Sequence, residues 1–140
     1  MKKYFYFIIA FALLSCAPDR KQAVEEAMRH YDDLILRVNP DSIAAIYAPN
    51  GQLGANPPIT GRDSIRNFLK RFSGFVVLET HSTSDSIGFR GDTATQKGTY
   101  YQRTILPEGD TVRVSGAFTT TWVAIDNRWY IARMITRSDH

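Results

Sequence analysis

Residues 75–136 read FVVLETHSTSDSIGFRGDTATQKGTYYQRTILPEGDTVRVSGAFTTTWVAIDNRWYIARMIT. This run is rich in β-branched and aromatic residues, which are enriched in strands, and clusters of Gly, Pro, Asp and Asn interrupt it three times. The interruptions predict turns because these residues tolerate the backbone conformations that turns require. The sequence therefore predicts four long strands paired antiparallel as a meander, over 75–87, 93–106, 111–125 and 129–136.

The segment before the strands predicts a long helix. Asp19 and Gln22 have the spacing of a capping pair, and apolar residues then recur at intervals of three and four. The opposite side of this helix is charged, and we interpret it as a solvated face. The predicted core face consists of Val24, Ala27, Met28, Tyr31, Leu34, Ile35 and Val38, and the predicted solvated face of Glu25, Glu26, Arg29, Asp32, Asp33 and Arg37.

Shorter elements separate this helix from the strands. Asn39-Pro40 can cap and open a second helix over 41–47, and two turn sequences bracket a brief strand over 52–55. Thr60 with Asp63 predicts the capped start of a third helix. This order predicts an α+β domain in which a curved antiparallel sheet wraps the long N-terminal helix as a cone. Because one helix cannot cover such long strands, a pocket should remain at the open end.

The N-terminus has the pattern of a secretory signal, with two lysines, an apolar run over 4–14 and a small residue before Cys16. The run is too short to span a bilayer, which takes about 20 apolar residues. Leu13-Leu14-Ser15-Cys16 resembles the bacterial lipobox, and this resemblance implies that Cys16 is lipidated and anchors the protein to a membrane. The alternative is an ordinary buried thiol at Cys16.

This interpretation divides the chain into a lipoprotein signal peptide at 1–15, a lipidated cysteine with a short tether at 16–19, and one domain at 20–137. In many proteobacterial lipoproteins an aspartate after the cysteine implies retention at the inner membrane, and this chain has Ala17 there. The expected location is therefore the bacterial cell envelope, at the outer membrane facing the periplasm.

Composition excludes several classes of function. The 140 residues carry a formal charge of +3, but Lys2 and Lys3 lie in the predicted signal, which leaves 15 of the 17 basic residues against 14 acidic ones. A nearly neutral domain lacks the basic stripe that binds phosphates, so no nucleic-acid partner is expected.

The chain has no His-x-x-x-His spacing, no second cysteine, no Gly-x-Ser-x-Gly and no phosphate-binding glycine loop, so we predict no metal and no cofactor.

Four fragments carry a family likeness: IAAIYA at 43–48, TGRDSI at 60–65, GDTA at 91–94 with Gly98 and Tyr100 after it, and Trp129. In this order they resemble the nuclear transport factor 2-like superfamily, in particular its small bacterial SnoaL-like branch, and the similarity covers about residues 20–137. The resemblance implies a cone-shaped α+β barrel and frequent dimers through the sheet. The implied functions range from isomerase and cyclase to plain binding.

The ketosteroid isomerases of this superfamily use a helix tyrosine as hydrogen-bond donor, a carboxylate base near the brief strand and a protonated carboxylic acid on a later strand. The resemblance puts Tyr31 at the donor position. Ala55 and Asn56 occupy the region of the base, and the position of the acid falls near Phe118. Because two of the three roles are missing, steroid-type isomerisation is disfavoured, and Tyr31 stays open between a donor and a core tyrosine.

Other candidate residues lie on the first long strand, where His81, Glu79 and Asp85 share one side-chain parity. His81 is the best candidate for a second acid or base. Val77 has the same parity, but Val76 and Leu78 compete with it as the core set, so a solvent-facing His81 is the alternative. Five residues are predicted to line the pocket, with plain core packing as their alternative role: Tyr31, Tyr100, Phe118, Trp122 and Met134.

The leading hypothesis is an exported, lipid-anchored, homodimeric binding or scaffold module, whose aromatic-lined pocket takes a small apolar ligand or a protein partner. It depends on an aromatic cone without an evident acid–base pair. The alternative is a SnoaL-like cyclase, isomerase or hydratase that acts on a hydrophobic small molecule through Tyr31 and His81. A third hypothesis is a structural role in which apolar sheet faces pair two chains.

Overall fold

The computed structural model describes residues 19–139, so the predicted signal and Cys16 lie outside the described residues. In this part of the chain no helix is long and apolar enough to cross a membrane. The elements are α1 (Arg20–Arg37), α2 (Pro40–Ala45), β1 (Tyr47–Leu53), β2 (Ile59–Thr60), α3 (Arg62–Leu69) with a 3-10 turn at Lys70–Phe72, β3 (Val76–Arg90), β4 (Thr93–Ile105), β5 (Thr111–Ile125) and β6 (Arg128–Ser138).

The strands form one six-stranded sheet in the order β2-β1-β6-β5-β4-β3. Strands β3 to β6 pair antiparallel as the predicted meander, whereas β1 joins β6 in parallel. Helix α1 packs against β3 and β6, on the concave face of the sheet. The α+β fold with a curved sheet around an N-terminal helix is therefore confirmed.

The hydrophobic core lies between α1 and the sheet. Val24 and Met28 are one helical turn apart and are buried in the same cluster as Trp122 and Ile131 of the strands. Burial of each such side chain contributes about 1.5–3 kcal/mol relative to exposure. The apolar spacing of α1 thus fixes the face that the helix presents to the sheet.

Arg20, the first residue of α1, contacts two aromatic rings of the sheet. Its guanidinium lies 4.5 Å from the ring centre of Phe89 and 5.6 Å from that of Trp129. It also donates a hydrogen bond to the carbonyl oxygen of Gly91. Cation–π contacts of this kind join the first turn of the helix to β3 and β6.

Local capping follows the sequence in part. Asp19 accepts a hydrogen bond from the amide of Lys21, and Asn39 caps α2. Two predictions are wrong. The first concerns Thr60, which lies in β2 and does not cap α3; the N-cap of α3 is Gly61, at a φ of 91°. Tyr47 was predicted as helical and instead begins β1, because it pairs with Ile131 of β6, a contact distant in sequence.

Two register shifts change the facing of β3. They lie between Val77 and Glu79 and between Ser84 and Ser86 in the pairing with β4. A bulge inserts one unpaired residue, so the side chains beyond it exchange faces relative to simple alternation. Val77 consequently faces the concave side while His81, which has the same parity, is exposed.

The convex face of the sheet is polar around the middle of β4. Lys97 and Thr99 are exposed there, and Arg103 lies 3.6 Å from Glu79 in an ion pair across to β3. This part of the surface is therefore polar, whereas Val76 and Leu78 on β3 are exposed apolar residues. The predicted homodimer stays a prediction.

Candidate functional site

A cavity of about 190 Å³ lies between α1 and the concave face of the sheet. We call it the Asp32 cavity. Successive turns of α1 form one wall, and inward-facing positions of β3, β4, β5 and β6 form the other. Its lining residues are Met28, Tyr31, Asp32, Ile35, Thr80, Ser82, Tyr100, Gln102, Phe118, Met134 and Thr136.

Asp32 is the residue of this cavity that the sequence analysis assigned wrongly. Its carboxylate is half-buried and accepts two hydrogen bonds from Ser82, one from the backbone amide at 3.0 Å and one from the hydroxyl at 2.8 Å. Asp32 follows Met28 by four residues, so it extends the core-facing side of α1 by one turn. The predicted solvated face of the helix therefore does not include Asp32.

The environment of Asp32 makes the carboxylate more basic. Burial raises the pKa of Asp32 above its usual value, and this effect exceeds the lowering by the two Ser82 hydrogen bonds and by nearby His81. An ionised carboxylate offers about four acceptor positions, and Ser82 occupies one on each oxygen. The remaining positions are available to a ligand. Within residues 19–139, no second carboxylate lines the cavity.

Tyr31 adjoins this carboxylate, and Tyr47 lies next to Tyr31. Burial raises the pKa of Tyr31 to about 12, while the Tyr47 hydroxyl, as its hydrogen-bond partner, lowers it and the charge of Asp32 raises it. Tyr47 is fully buried, and its hydroxyl also lies 3.8 Å from the sulfur of Met134. Both phenols therefore remain protonated at neutral pH. Sequence reasoning found Tyr31 but missed Tyr47, which it took as a helix end.

Tyr100, Phe118 and Met134 lie at the cavity, where the sequence analysis expected them. Tyr100 is half-buried; burial and nearby Asp139 raise its pKa, and a hydrogen bond with Thr136 opposes them. Phe118 packs against Gly98 across the strand pair, where a Cβ atom would lie only 2.9 Å from the ring. The absence of a side chain at Gly98 therefore allows Phe118 to point inward.

Trp122 does not line the cavity. It is fully buried, and its indole nitrogen donates a hydrogen bond to the side-chain oxygen of Gln96 at 2.9 Å. The amide of Gln96 in turn donates to the hydroxyl of Ser84. Trp122 is therefore a core residue with a satisfied donor, which was the alternative that the sequence left open.

The strand candidates for a second acid or base also lie elsewhere. His81 and Asp85 are exposed, and Glu79 pairs with Arg103 on the convex face. A solvent-facing His81 was the alternative that the sequence left open, and the bulge after Val77 explains it. In residues 19–139 there is no group of three or more His, Cys, Asp and Glu side chains that could hold a metal ion.

A second space of about 170 Å³ lies toward the C-terminal end of α1. We call it the apolar chamber. It shares Ile35 and Gln102 with the Asp32 cavity. Its complete lining is Ile35, Val38, Pro40, Ile43, Leu69, Phe72, Phe75, Val77, Gln102 and Thr104.

Residues 19–135 match the family model of the SnoaL-like domain. Among curated proteins no relative matches the chain. The fold is similar to that of a provisionally named scytalone dehydratase from Novosphingobium aromaticivorans, with a TM-score of 0.74 and 21% identity over 86% of this chain and 84% of that one.

Two further solved structures have the same fold. A ketosteroid isomerase-like protein from Erwinia carotovora atroseptica has a TM-score of 0.74 and 15% identity, over 85% of this chain and 95% of that one. A provisionally named calcium/calmodulin-dependent protein kinase II association domain from Xanthomonas campestris has a TM-score of 0.69 and 20% identity, over 91% and 93%. These three names differ in function, so the likeness establishes the fold alone.

Proposed function

This chain belongs to the SnoaL-like domain family, and within it we propose an enzyme that transfers a proton on a small, largely apolar molecule carrying a carbonyl or hydroxyl group. The proposed reaction class is isomerisation or dehydration. The observation that carries the proposal is the half-buried Asp32 carboxylate, fixed by Ser82 and facing the cavity beside Tyr31. The names of the dehydratase and isomerase-like structures are compatible with this class.

Asp32 has the properties of a general base. A base acts best when its pKa lies nearer the working pH, and burial moves the pKa of Asp32 in that direction. The two hydrogen bonds from Ser82 restrict the rotation of the carboxylate, so it keeps one orientation in the wall of the cavity. A fixed base of this kind needs little reorganisation when it takes a proton from carbon.

Tyr31 has the properties of a hydrogen-bond donor to an oxygen that gains negative charge. Tyr31 lines the cavity beside Asp32, and burial raises the pKa of its phenol, so it holds a proton that it can donate. Donors of this kind stabilise an enolate most strongly in a site of low dielectric constant. Asp32 and Tyr31 together therefore suit proton removal next to a carbonyl group.

The electrons and protons of the proposed step balance without a cofactor. Asp32 takes the proton from the carbon beside the carbonyl, and the C–H electron pair forms an enolate whose oxygen accepts the hydrogen bond of Tyr31. In the isomerisation of a β,γ-unsaturated carbonyl compound, the enolate electrons extend over the neighbouring double bond, and protonated Asp32 returns the proton at the γ-carbon as that double bond moves into conjugation. In a dehydration, the enolate re-forms the carbonyl as the β-hydroxyl leaves with that proton as water.

Deuterium exchange tests this proposal without the natural substrate. We expect the protein to accelerate exchange of the protons beside the carbonyl of 2-tetralone in D₂O, followed by NMR. Asp32→Asn should lower the accelerated rate by about a hundredfold or more, because a positioned base typically contributes that much. Asp33→Asn is the matched control, since Asp33 is the exposed neighbour on the same helix. Equal rates in the wild type and Asp32→Asn would refute the role of Asp32.

A binding module without catalysis is the second candidate. It is favoured by the absence of a second acid or base among the described residues that line the cavity. In that case 2-tetralone would bind and perturb the NMR signals of the cavity residues, but exchange would stay at the rate of buffer alone. The same samples therefore distinguish the two functions.

Export and lipid anchoring are proposed on the sequence of residues 1–16. We propose that Cys16 carries the lipid and that the cavity-bearing domain stays at the membrane surface. Mass spectrometry of the protein from the membrane fraction would detect the acyl chains. An unprocessed chain recovered from the soluble fraction would contradict the proposal.

A further inference from the structure

The Asp32 cavity and the apolar chamber lie in line along α1. Ile35 and Gln102 border both spaces, and the wall formed by α1 continues from Asp32 through Ile35 to Val38, the C-cap of the helix. On β4 the inward positions run from Tyr100 through Gln102 to Thr104. At about 3.3 Å per residue, these positions span about 13 Å.

The surface of the chamber is apolar although Gln102 and Thr104 contribute to it. The amide of Gln102 donates a hydrogen bond to the hydroxyl of Thr104 at 2.9 Å, so these two polar groups partly satisfy each other. Phe72 stacks edge-on against Phe75 with ring centres 5.3 Å apart, and forms an aromatic wall. The chamber therefore offers apolar contact, whereas the Asp32 cavity offers hydrogen bonds.

The volumes of the Asp32 cavity and the apolar chamber limit the size of a ligand. An apolar protein cavity of about 150 Å³ accommodates one benzene molecule. The chamber, at about 170 Å³, thus has room for one ring or about six carbons, and the Asp32 cavity, at about 190 Å³, for a head group of similar size.

We propose that the two spaces form one site for an elongated amphipathic molecule, with an oxygen-bearing head at Asp32 and an apolar tail of about six carbons beyond Ile35 and Gln102. The direction of the head rests on the proposed function, because Asp32 must reach the reacting group. The position of the tail rests only on the chamber. The chamber is thereby a specificity pocket for the length of the substrate.

A series of 4-alkylphenols tests the proposal by isothermal titration calorimetry, from phenol to 4-octylphenol. The phenol hydroxyl can donate to a free acceptor position of Asp32, and the alkyl chain then extends toward the chamber. We expect the Kd to fall about fourfold with each added methylene, the value for burial of one methylene. The gain should stop at about six carbons, when the chamber is full.

Two neighbouring valines give matched variants. Val77→Phe would fill part of the chamber, whereas Val76→Phe adds the same ring to the outer side of the same strand, where Val76 is 51% exposed. We expect Val77→Phe to end the gain at a shorter chain while phenol itself binds unchanged, and Val76→Phe to behave as the wild type. A Kd independent of chain length would overturn the proposal. So would an equal loss for all phenols in Val77→Phe.

These results are distinguishable from those of the exchange assay. The binding series needs no turnover, so a chain-length dependence that Val77→Phe shortens supports the elongated site even if Asp32→Asn retains exchange activity. Conversely, exchange that depends on Asp32, together with a flat binding series, would overturn this inference and leave the proposed catalysis standing. Asp32→Asn should weaken binding of phenol and 4-hexylphenol by the same factor, because both place their hydroxyl at Asp32.

Discussion

Ser82→Ala should destabilise the protein in a manner that depends on pH. The variant removes the 2.8 Å hydrogen bond from the hydroxyl to Asp32 and keeps the 3.0 Å bond from the backbone amide. Hydrogen bonds to charged groups contribute about 1.5–3 kcal/mol, and Asp32 is only half-buried, so screening by solvent favours the lower end. We expect a loss of about 1.5 kcal/mol near neutral pH, or about 5 °C in Tm.

The sign of the pH dependence follows from the pKa of Asp32. In the folded wild type this pKa is raised above 3.8, so the contribution of Asp32 to stability is greatest at low pH and falls as the pH rises through the raised pKa. Ser82→Ala removes a hydrogen bond that lowers the pKa, so the folded-state pKa rises further. The difference in stability between wild type and variant should therefore be small below 3.8 and grow as Asp32 ionises.

Urea denaturation at about pH 3 and about pH 7.5, followed by tryptophan fluorescence, measures this difference. Ser84→Ala is the matched control, since its hydroxyl accepts a hydrogen bond from neutral Gln96 on the same face of β3. Its loss of stability should be the same at both pH values. A Ser82→Ala deficit that does not change with pH would refute the assignment of Asp32 as an ionised, hydrogen-bonded group.

Three further predictions concern the pair Tyr31 and Tyr47, the cation–π contacts of Arg20, and Cys16. Tyr47→Phe should raise the pKa of Tyr31 further, because the interaction with the Tyr47 hydroxyl lowers it; an unchanged ultraviolet titration of tyrosinate would contradict the pairing. Arg20→Ala should lower the free energy of unfolding by about 1 kcal/mol, because its cation–π contacts with Phe89 and Trp129 are lost; an unchanged urea midpoint would argue against a stabilising role of these contacts. Cys16→Ser should abolish the acyl chains that mass spectrometry detects on the protein from the membrane fraction, and acyl chains that remain on the variant would disprove lipid anchoring at that residue.

The fold was predictable because its determinants are local. Strand composition and turn residues define β3 to β6, and the apolar spacing of α1 identifies the side that packs on them. The parallel pairing of β1 with β6 was not predictable, since it joins residues such as Tyr47 and Ile131 that are far apart in the chain. For the same reason Tyr47 could not be recognised as a strand residue or as a partner of Tyr31.

The site was less predictable than the fold, because its residues depend on tertiary contacts. Asp32 was assigned to solvent by its charge, and only Ser82, fifty positions further on, shows that the carboxylate faces inward. His81 was a candidate by parity, and the unpaired residue at the bulge after Val77 reverses that facing. The sequence feature that could have indicated an inward-facing Asp32 was its spacing, since Asp32 lies four residues after Met28 on the core-facing side of α1.

The hydrogen bonds of two polar side chains, Gln96 and Asp32, differ in a way that assigns the functional site to Asp32. Gln96 is fully buried, yet its amide is satisfied by Trp122 on one side and Ser84 on the other, so it completes the core. Asp32 is held on one side only, and its free acceptor positions face a cavity. A carboxylate that is partly desolvated and has hydrogen bonds on one side only lowers stability until water or a ligand completes its hydrogen bonds. Its position on an otherwise apolar stripe is therefore explained better by chemistry in the cavity than by folding.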